Sequence, residues 1–194
     1  MDINTFIELH EQEINNREWD KVYTELARYA FYIDIPNFTR SLLSIGVNPV
    51  ADINRIPDFY LYGDTTISTL SSVCKSAEKI GRRAFAYSTI KEVDFPKNLK
   101  TISYSAFTQC YKIEKLNLPE GLEQIGYNAF SACTHVTEIY LPSTLFHVGG
   151  DAFTGCTGLK KVIYNGSKED FSILASNAGN IFSGTNKFEF VFLD

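Results

Sequence analysis

From Ile125 to Leu145 the chain reads IGYNAFSACTHVTEIYLPSTL, and the same spacing of apolar residues recurs on both sides of it. Ala84-Phe85, Ala106-Phe107, Ala129-Phe130 and Ala152-Phe153 follow one another at steps of 22, 23 and 23. Five residues before each Phe stands Ile80, Ile102, Ile125 or Val148, followed by Gly81, Ser103, Gly126 or Gly149. After the Phe come Ile90, Ile113, Val136 and Leu159, then Val93, Leu116, Ile139 and Val162, then Phe95, Leu118, Leu141 and Tyr164. Pro96, Pro119 and Pro142 close the pattern, with Leu99, Leu122 and Leu145 beyond them. One period earlier lie Ile67 and Leu70, so a worn fifth copy begins near Ile56-Pro57.

A fixed period of this length marks a stack of coils, because one coil cannot bury its own apolar face and its neighbours must do so. The L-x-x-L-x-L-P piece alternates at its end as a short strand does, and Pro stops it. Stacked coils then align these strands in a parallel sheet at roughly 4.8 Å spacing, on one face of a solenoid. The Ala-Phe piece forms the opposite wall, as a turn or a single helical turn. The sequence therefore predicts an α/β repeat solenoid of four to five coils of 23 residues.

The unit I-G-x-x-A-F-x-x-C-x-x-L-x-x-L-x-L-P closely resembles the BspA-type leucine-rich repeat, over residues 56–166. Tyr164-Asn165-Gly166-Ser167 with Glu169-Asp170-Phe171 is similar to the segment that often follows the last such repeat. Members of this family are commonly secreted or surface adhesins. The run Leu42-Leu43-Ser44-Ile45-Gly46-Val47-Asn48-Pro49, leading into Ile56-Pro57-Asp58-Phe59, resembles the lead-in of short repeat proteins encoded by bacteriophages. That resemblance implies action inside a bacterial cell.

Residues 1–55 read as a helical region, either a cap on the first coil or a partner-binding domain. Thr5 with Glu8 suggests a capping box for a first helix, and Asn15-Asn16 breaks it. Trp19, Val22, Tyr23, Leu26 and Tyr29 mark an amphipathic second helix. A third is expected from Pro36 or Asn37 to Ile45, stopped by Gly46. At the other end, residues 167–194 read as a closing segment, in which Lys187–Phe192 alternates like a final strand paired to the last coil.

Composition narrows the function. Hydrophobic content of 44% supports a packed core, while a net charge of −5 with no basic run argues against nucleic acid or an anionic membrane. The first residues carry no positive and apolar leader pattern, and no run approaches the roughly 20 apolar residues that span a bilayer. A cytoplasmic setting is the expectation. Cys74, Cys110, Cys133 and Cys156 include no C-x-x-C pair, and the last three recur at the coil period, as small core residues do. Metal or redox chemistry is the competing reading. His10, His135 and His147 fall into no ligand or catalytic pattern, and no phosphate-binding loop or nucleophile elbow occurs. No cofactor and no enzymatic activity are expected; a site hidden between the helices and the first coil is the enzyme alternative.

The outward strand positions carry more information. Thr69, Glu92, Lys115, Glu138 and Lys161 form one exposed column with alternating sign, fitting a charge ladder that holds neighbouring strands in register. Ser71, Asp94, Asn117, Tyr140 and Ile163 form a second, running from polar to apolar. Exposed aromatic and aliphatic groups are what a binding hot spot needs. Tyr140 and Ile163, with Glu138, Lys161, Asp94 and Asn117 around them, are thus the candidate protein-binding residues, unless the C-terminal segment folds over them. Arg82, Arg83, Tyr87, Tyr104, Tyr111 and Tyr127 lie near the Ala-Phe wall, either as a second exposed face or packed between coils. The functional expectation is a non-enzymatic protein-binding module, such as a phage-encoded modulator of a host protein. A surface adhesin or virion component is the alternative, and a homo-oligomer stays open.

Overall fold

The computed structural model describes residues 2–30, 34–45, 47–50, 55–66 and 76–194. Ile67, Thr69, Leu70, Ser71, Cys74 and the expected helix stop Gly46 lie outside the described residues.

The repeat folds as two parallel ladders around one apolar column. Strands β1 (Arg55–Ile56), β2 (Lys79–Ile80), β3 (Thr101–Ile102), β5 (Gln124–Ile125) and β7 (His147–Val148) form one parallel sheet. Strands β4 (Lys115–Asn117), β6 (Glu138–Leu141), β8 (Lys161–Tyr164) and β9 (Glu189–Phe192) form a second, also parallel. The second sheet is the strand face the apolar pattern predicts. The first is an addition to it, built from the Ile-Gly positions.

Glycine explains that additional sheet. Gly81, Gly126 and Gly149 donate backbone hydrogen bonds of 2.7 Å to Ile56, Ile102 and Ile125 of the preceding coil. A methyl group on Gly126 would lie 2.6 Å from the Tyr104 amide nitrogen, and one on Gly149 would lie 2.4 Å from that of Tyr127. Ser103 occupies the same column, and its bond to Ile80 lengthens to 3.0 Å.

The Ala-Phe wall is held by left-handed residues. Two positions before each Phe stand Arg83, Ser105, Asn128 and Asp151, and two after stand Tyr87, Gln109, Ala132 and Gly155, all with positive φ. The wall thereby turns its amides toward the next coil, so that Phe85 donates to Ala106, Phe107 to Ala129 and Phe130 to Ala152 at 2.7–2.8 Å. The rings stack in an inner spine: Phe85–Phe107 at 5.2 Å, Phe107–Phe130 at 5.2 Å, Phe130–Phe153 at 5.4 Å and Phe153–Phe182 at 5.4 Å. This regularity continues beyond residue 166, because Phe153 also donates to Ile181 as if to another coil.

The three described cysteines join this core. Each is fully buried, and the thiols of Cys110, Cys133 and Cys156 donate to the carbonyls of Phe85, Phe107 and Phe130 at 3.0, 3.2 and 3.3 Å. Burial pushes the Cys110 and Cys156 thiols up to about 12, and Cys133 well above its ordinary value. These are scaffold thiols, protonated in ordinary buffers.

Helices α1 (Ile3–Leu9), α2 (Glu11–Asn15), α3 (Trp19–Arg28) and α4 (Ile35–Ser44) precede the coils. The cap of α1 differs from the expected Thr5–Glu8 box. Asp2 occupies the N-cap and accepts both the amide and the hydroxyl of Thr5, at 3.0 and 2.9 Å; its carboxylate reaches those donors and is held below its usual pKa by them. The first helical stretch also breaks at His10, so it is two short helices. Helix α4 starts one residue before Pro36, capped by Asp34.

Helix α3 meets the first coil through its buried face. Trp19, Val22, Tyr23 and Leu26 are buried, and Tyr23 meets Tyr60 of the first coil at 5.6 Å. Arg55 of β1 bonds Asp20 at 2.5 Å, and the buried Asp64 carboxylate pairs with Arg40 of α4 at 2.6 Å. At the other end, helix α5 (Lys168–Ser176) follows β8, with Ser167 as its N-cap.

Candidate functional site

The outward face of the four-stranded sheet is set by register. Asn117 pairs with Tyr140, Tyr140 with Ile163 and Ile163 with Val191, so these four side chains form one row across the strands. The intervening residues Leu116, Ile139 and Val162 are fully buried beneath them. Strand β9 joins the edge of this sheet, in line with the expected final strand, and does not lie across its face. Tyr140, Ile163 and Val191 are half-buried, while Asn117 and Asp94 are exposed.

Beside this row runs the charge ladder. Register sets Lys115 against Glu138, Glu138 against Lys161 and Lys161 against Glu189. Two of these neighbours close as ion pairs, Lys115–Glu138 at 3.4 Å and Lys161–Glu189 at 4.0 Å. Exposed pairs of this kind contribute little stability each, on the order of 0.2–1 kcal/mol. Their alternation nevertheless disfavours any strand slip that would set like charges opposite.

Tyr140 is fixed more firmly than its neighbours. Its hydroxyl donates to Glu120 at 3.2 Å, and the Asn165 side-chain amide donates to the same oxygen at 2.6 Å. Burial, then the Glu120 carboxylate, raises the phenol above its ordinary pKa. A tethered ring of this sort contributes contact area with little further rotamer entropy to lose on binding. Sequence spacing alone does not reveal Glu120, which sits in the turn after Pro119.

Toward the N-terminal side the same face deepens into a cavity of about 630 Å³, lined by Glu92, Asp94, Lys97, Lys115, Asn117 and other residues. Asp94 and Asn117 thus border this hollow, whereas Tyr140 and Ile163 do not line it. The sheet brings Glu138, Lys161, Tyr140 and Ile163 onto adjacent strands; Asp94 lies on the coil before β4.

The tyrosines near the Ala-Phe wall are exposed, with Tyr87, Tyr104, Tyr111 and Tyr127 at 42–57% exposure, and the Tyr87 ring also meets Tyr62 of the preceding coil at 5.3 Å. Arg83 stacks over Tyr104 at 5.9 Å, and Arg82 over Phe59 at 5.3 Å. A hollow of about 230 Å³ opens between Arg83, Tyr87, Tyr104 and Asn128. Among the described residues no group of three His, Cys, Asp or Glu side chains is placed to hold a metal ion. No helix among them is long and apolar enough to cross a membrane.

Comparison with known proteins agrees with this architecture. The chain is similar in structure to a leucine rich cell surface protein from Faecalibacterium prausnitzii, with a TM-score of 0.58 and 24% identity over 66% of this chain and 34% of that one. It is also similar to the pneumococcal vaccine antigen PcpA, with a TM-score of 0.50 and 16% identity over 72% of this chain and 39% of that one. The chain spans about a third of the length of the first of these. No curated protein matches it. By sequence, residues 54–187 match the BspA type leucine rich repeat region in six copies. The chain belongs to the BspA-type leucine-rich-repeat family.

Proposed function

We propose that the chain binds a protein through the outer face of β4, β6, β8 and β9, with Tyr140 and Ile163 at the centre of the contact. Glu138, Lys161, Asp94 and Asn117 border it and select the partner by charge and hydrogen bonding. The observation that carries this reading is the row Asn117–Tyr140–Ile163–Val191 across adjacent strands, with Asn117 exposed and the other three half-buried. Leucine-rich-repeat proteins mediate protein–protein interaction, and stacked coils offer extended surfaces for it. An aromatic anchor flanked by an aliphatic side chain and ringed by charges is the composition of a contact hot spot. The charged border governs encounter and orientation more than affinity.

Within this reading the partner is a protein of a bacterial host, met inside the cell by a phage-encoded modulator. The resemblance of residues 42–59 to the lead-in of phage-encoded repeat proteins supports that setting. A second reading, a surface adhesin or virion component, is favoured by the cell-surface description of the Faecalibacterium relative. Affinity capture from bacterial lysate, with parent chain and the Tyr140→Ala/Ile163→Ala variant side by side, tests the site. Loss of one specific partner with the variant supports it, since hot-spot truncations cost about 2 kcal/mol or more each. Unchanged capture by a folded variant rejects it. Recovery of the protein in purified particles or outside cells decides for the second reading.

A further inference from the structure

The Ala-Phe wall turns at equivalent positions in successive coils, so its side chains fall into columns. Arg83, Ser105 and Asn128 form one column, each with left-handed backbone, and Ala86, Thr108 and Ser131 form another. Ala86, Ser105, Thr108 and Ser131 are small, whereas Tyr87 and Tyr104 stand exposed beside them. The hollow of about 230 Å³ is the space that this difference in size leaves.

Its one cation lacks a counter-charge. Arg83 is half-buried and forms no ion pair among the described residues, unlike Arg82, which faces Asp58 at 3.8 Å. The Arg83 guanidinium lies instead over the Tyr104 ring at 5.9 Å. Ser105, then Arg83 and Asn128, offer side-chain hydrogen bonds to the Tyr104 phenol oxygen and hold it below its ordinary pKa. Donors from three successive coils thus converge beside one hydroxyl, in a protein whose net charge is −5. An anionic oxygen placed there would accept from the same groups, and the planar guanidinium fork matches a carboxylate. One guanidinium balances the single charge of a carboxylate, whereas a phosphate monoester carries about −1.5 to −2.

The other lining groups fit hydroxyls better than a peptide main chain. The amides of Tyr87, Ser105, Thr108, Asn128 and Ser131 already donate within the wall or to the next coil, at 2.8–3.3 Å. An extended chain would therefore find no ladder to join. Side-chain oxygens remain. Thr108 donates its hydroxyl to the Asn128 carbonyl at 2.6 Å and keeps its lone pairs, and the Ser131 hydroxyl makes no hydrogen bond among the described residues. A sugar hydroxyl both donates and accepts, so it can use either. A volume below the ~300 Å³ of ordinary ligand pockets limits the occupant to one ring.

We propose that this hollow binds one unit of a carboxylated sugar, a hexuronate, with its carboxylate on Arg83 and its hydroxyls on Thr108, Asn128 and Ser131. The exposed Tyr87 and Tyr104 rings border the C–H surface of the sugar. The site shares no residue with the protein contact proposed on the strand face, and either can fail without the other.

NMR titration of the whole chain with methyl glucuronide, methyl glucoside and acetate, each in turn, tests the proposal. Methyl glucuronide is expected to saturate at about millimolar concentration, as a ligand of this size does, and to shift signals of Arg83, Tyr104 and Ser131. Methyl glucoside carries a hydroxymethyl in place of the carboxylate. Its binding is expected to be weaker by about tenfold or more, the factor a charge-assisted pair contributes. Acetate is expected not to saturate in the same range. Equal affinity for glucuronide and glucoside overturns the carboxylate assignment, and equal affinity for acetate and glucuronide overturns the sugar. No saturation by glucuronide, or shifts confined to other parts of the chain, overturns the site. Arg83→Asn uses the residue type that Asn128 carries at the equivalent left-handed position, so the fold is expected to persist by circular dichroism. Its affinity for methyl glucuronide should fall to that for methyl glucoside, and a folded variant with the parent's affinity overturns the role of Arg83.

Discussion

Tyr140 donates its hydroxyl to Glu120 at 3.2 Å, joining the centre of the sheet face to the turn after Pro119. Burial and this carboxylate both favour the protonated phenol. Glu120→Gln is expected to lower the Tyr140 pKa while leaving it above that of free tyrosine, because burial persists. Ring-carbon NMR titration between neutral and strongly alkaline pH reads the change; an unmoved titration would show that Glu120 does not act on the phenol.

The thiol column makes stability fall at alkaline pH. Folding raises the Cys110 and Cys156 pKa from 9.0 to about 12. The unfolded chain therefore releases these protons first, and their contribution is intact below pH 9 and lost as pH rises toward 12. At about pH 10.5 each thiol is expected to cost about 2 kcal/mol of stability relative to pH 8, from 1.36 kcal/mol per pKa unit. Urea unfolding at a series of pH values measures it, and replacing both with Ser88-like hydroxyls (Cys110→Ser/Cys156→Ser) should flatten the slope.

Gly126→Ala is expected to destabilise the solenoid by about 1–3 kcal/mol, as forced overpacking does. The added methyl would stand 2.6 Å from the Tyr104 nitrogen and 2.8 Å from the Ser103 carbonyl carbon, both backbone atoms that move only if the coils part. A denaturation midpoint equal to the parent's would contradict this account of the glycine column.

Ala132→Gly is expected to do the opposite. Ala132 has φ of 57°, and the equivalent position one coil later is Gly155 at 72°. Left-handed backbone costs an L-residue roughly 1–2 kcal/mol, partly offset by the greater freedom of glycine in the unfolded chain. The net gain should be about 0.5–1 kcal/mol, visible as a higher melting temperature.

The strand face was legible in the sequence because each coil must contribute an apolar residue at the same place, which leaves columns such as Leu116, Ile139 and Val162. The first sheet was not. Its two-residue strands, Ile or Val after one polar residue, are too short to show alternation. Helix α5 had a signal in Ser167 and Asp170, whose amide bonds the Ser167 hydroxyl at 3.1 Å, but its apolar face is too weak to declare a helix. Of the candidate site, the row Asn117–Tyr140–Ile163 follows from stepping by 23. Val191 escapes that arithmetic because 28 residues, including α5, separate it from Ile163. Glu120 escapes it too, since it joins Tyr140 from 20 residues upstream and Asn165 from 45 residues away.

The alternation of Lys115, Glu138, Lys161 and Glu189 gives the stack a grammar of two. Deleting a single coil from the middle would set like charges on neighbouring strands, whereas deleting an adjacent pair would restore opposites. Although its shape repeats with every coil, electrostatically the unit cell is a doublet. Lengthening or shortening of this solenoid is therefore expected to be tolerated in even steps, and a chain changed by an odd number would need one charge reversed to remain in register.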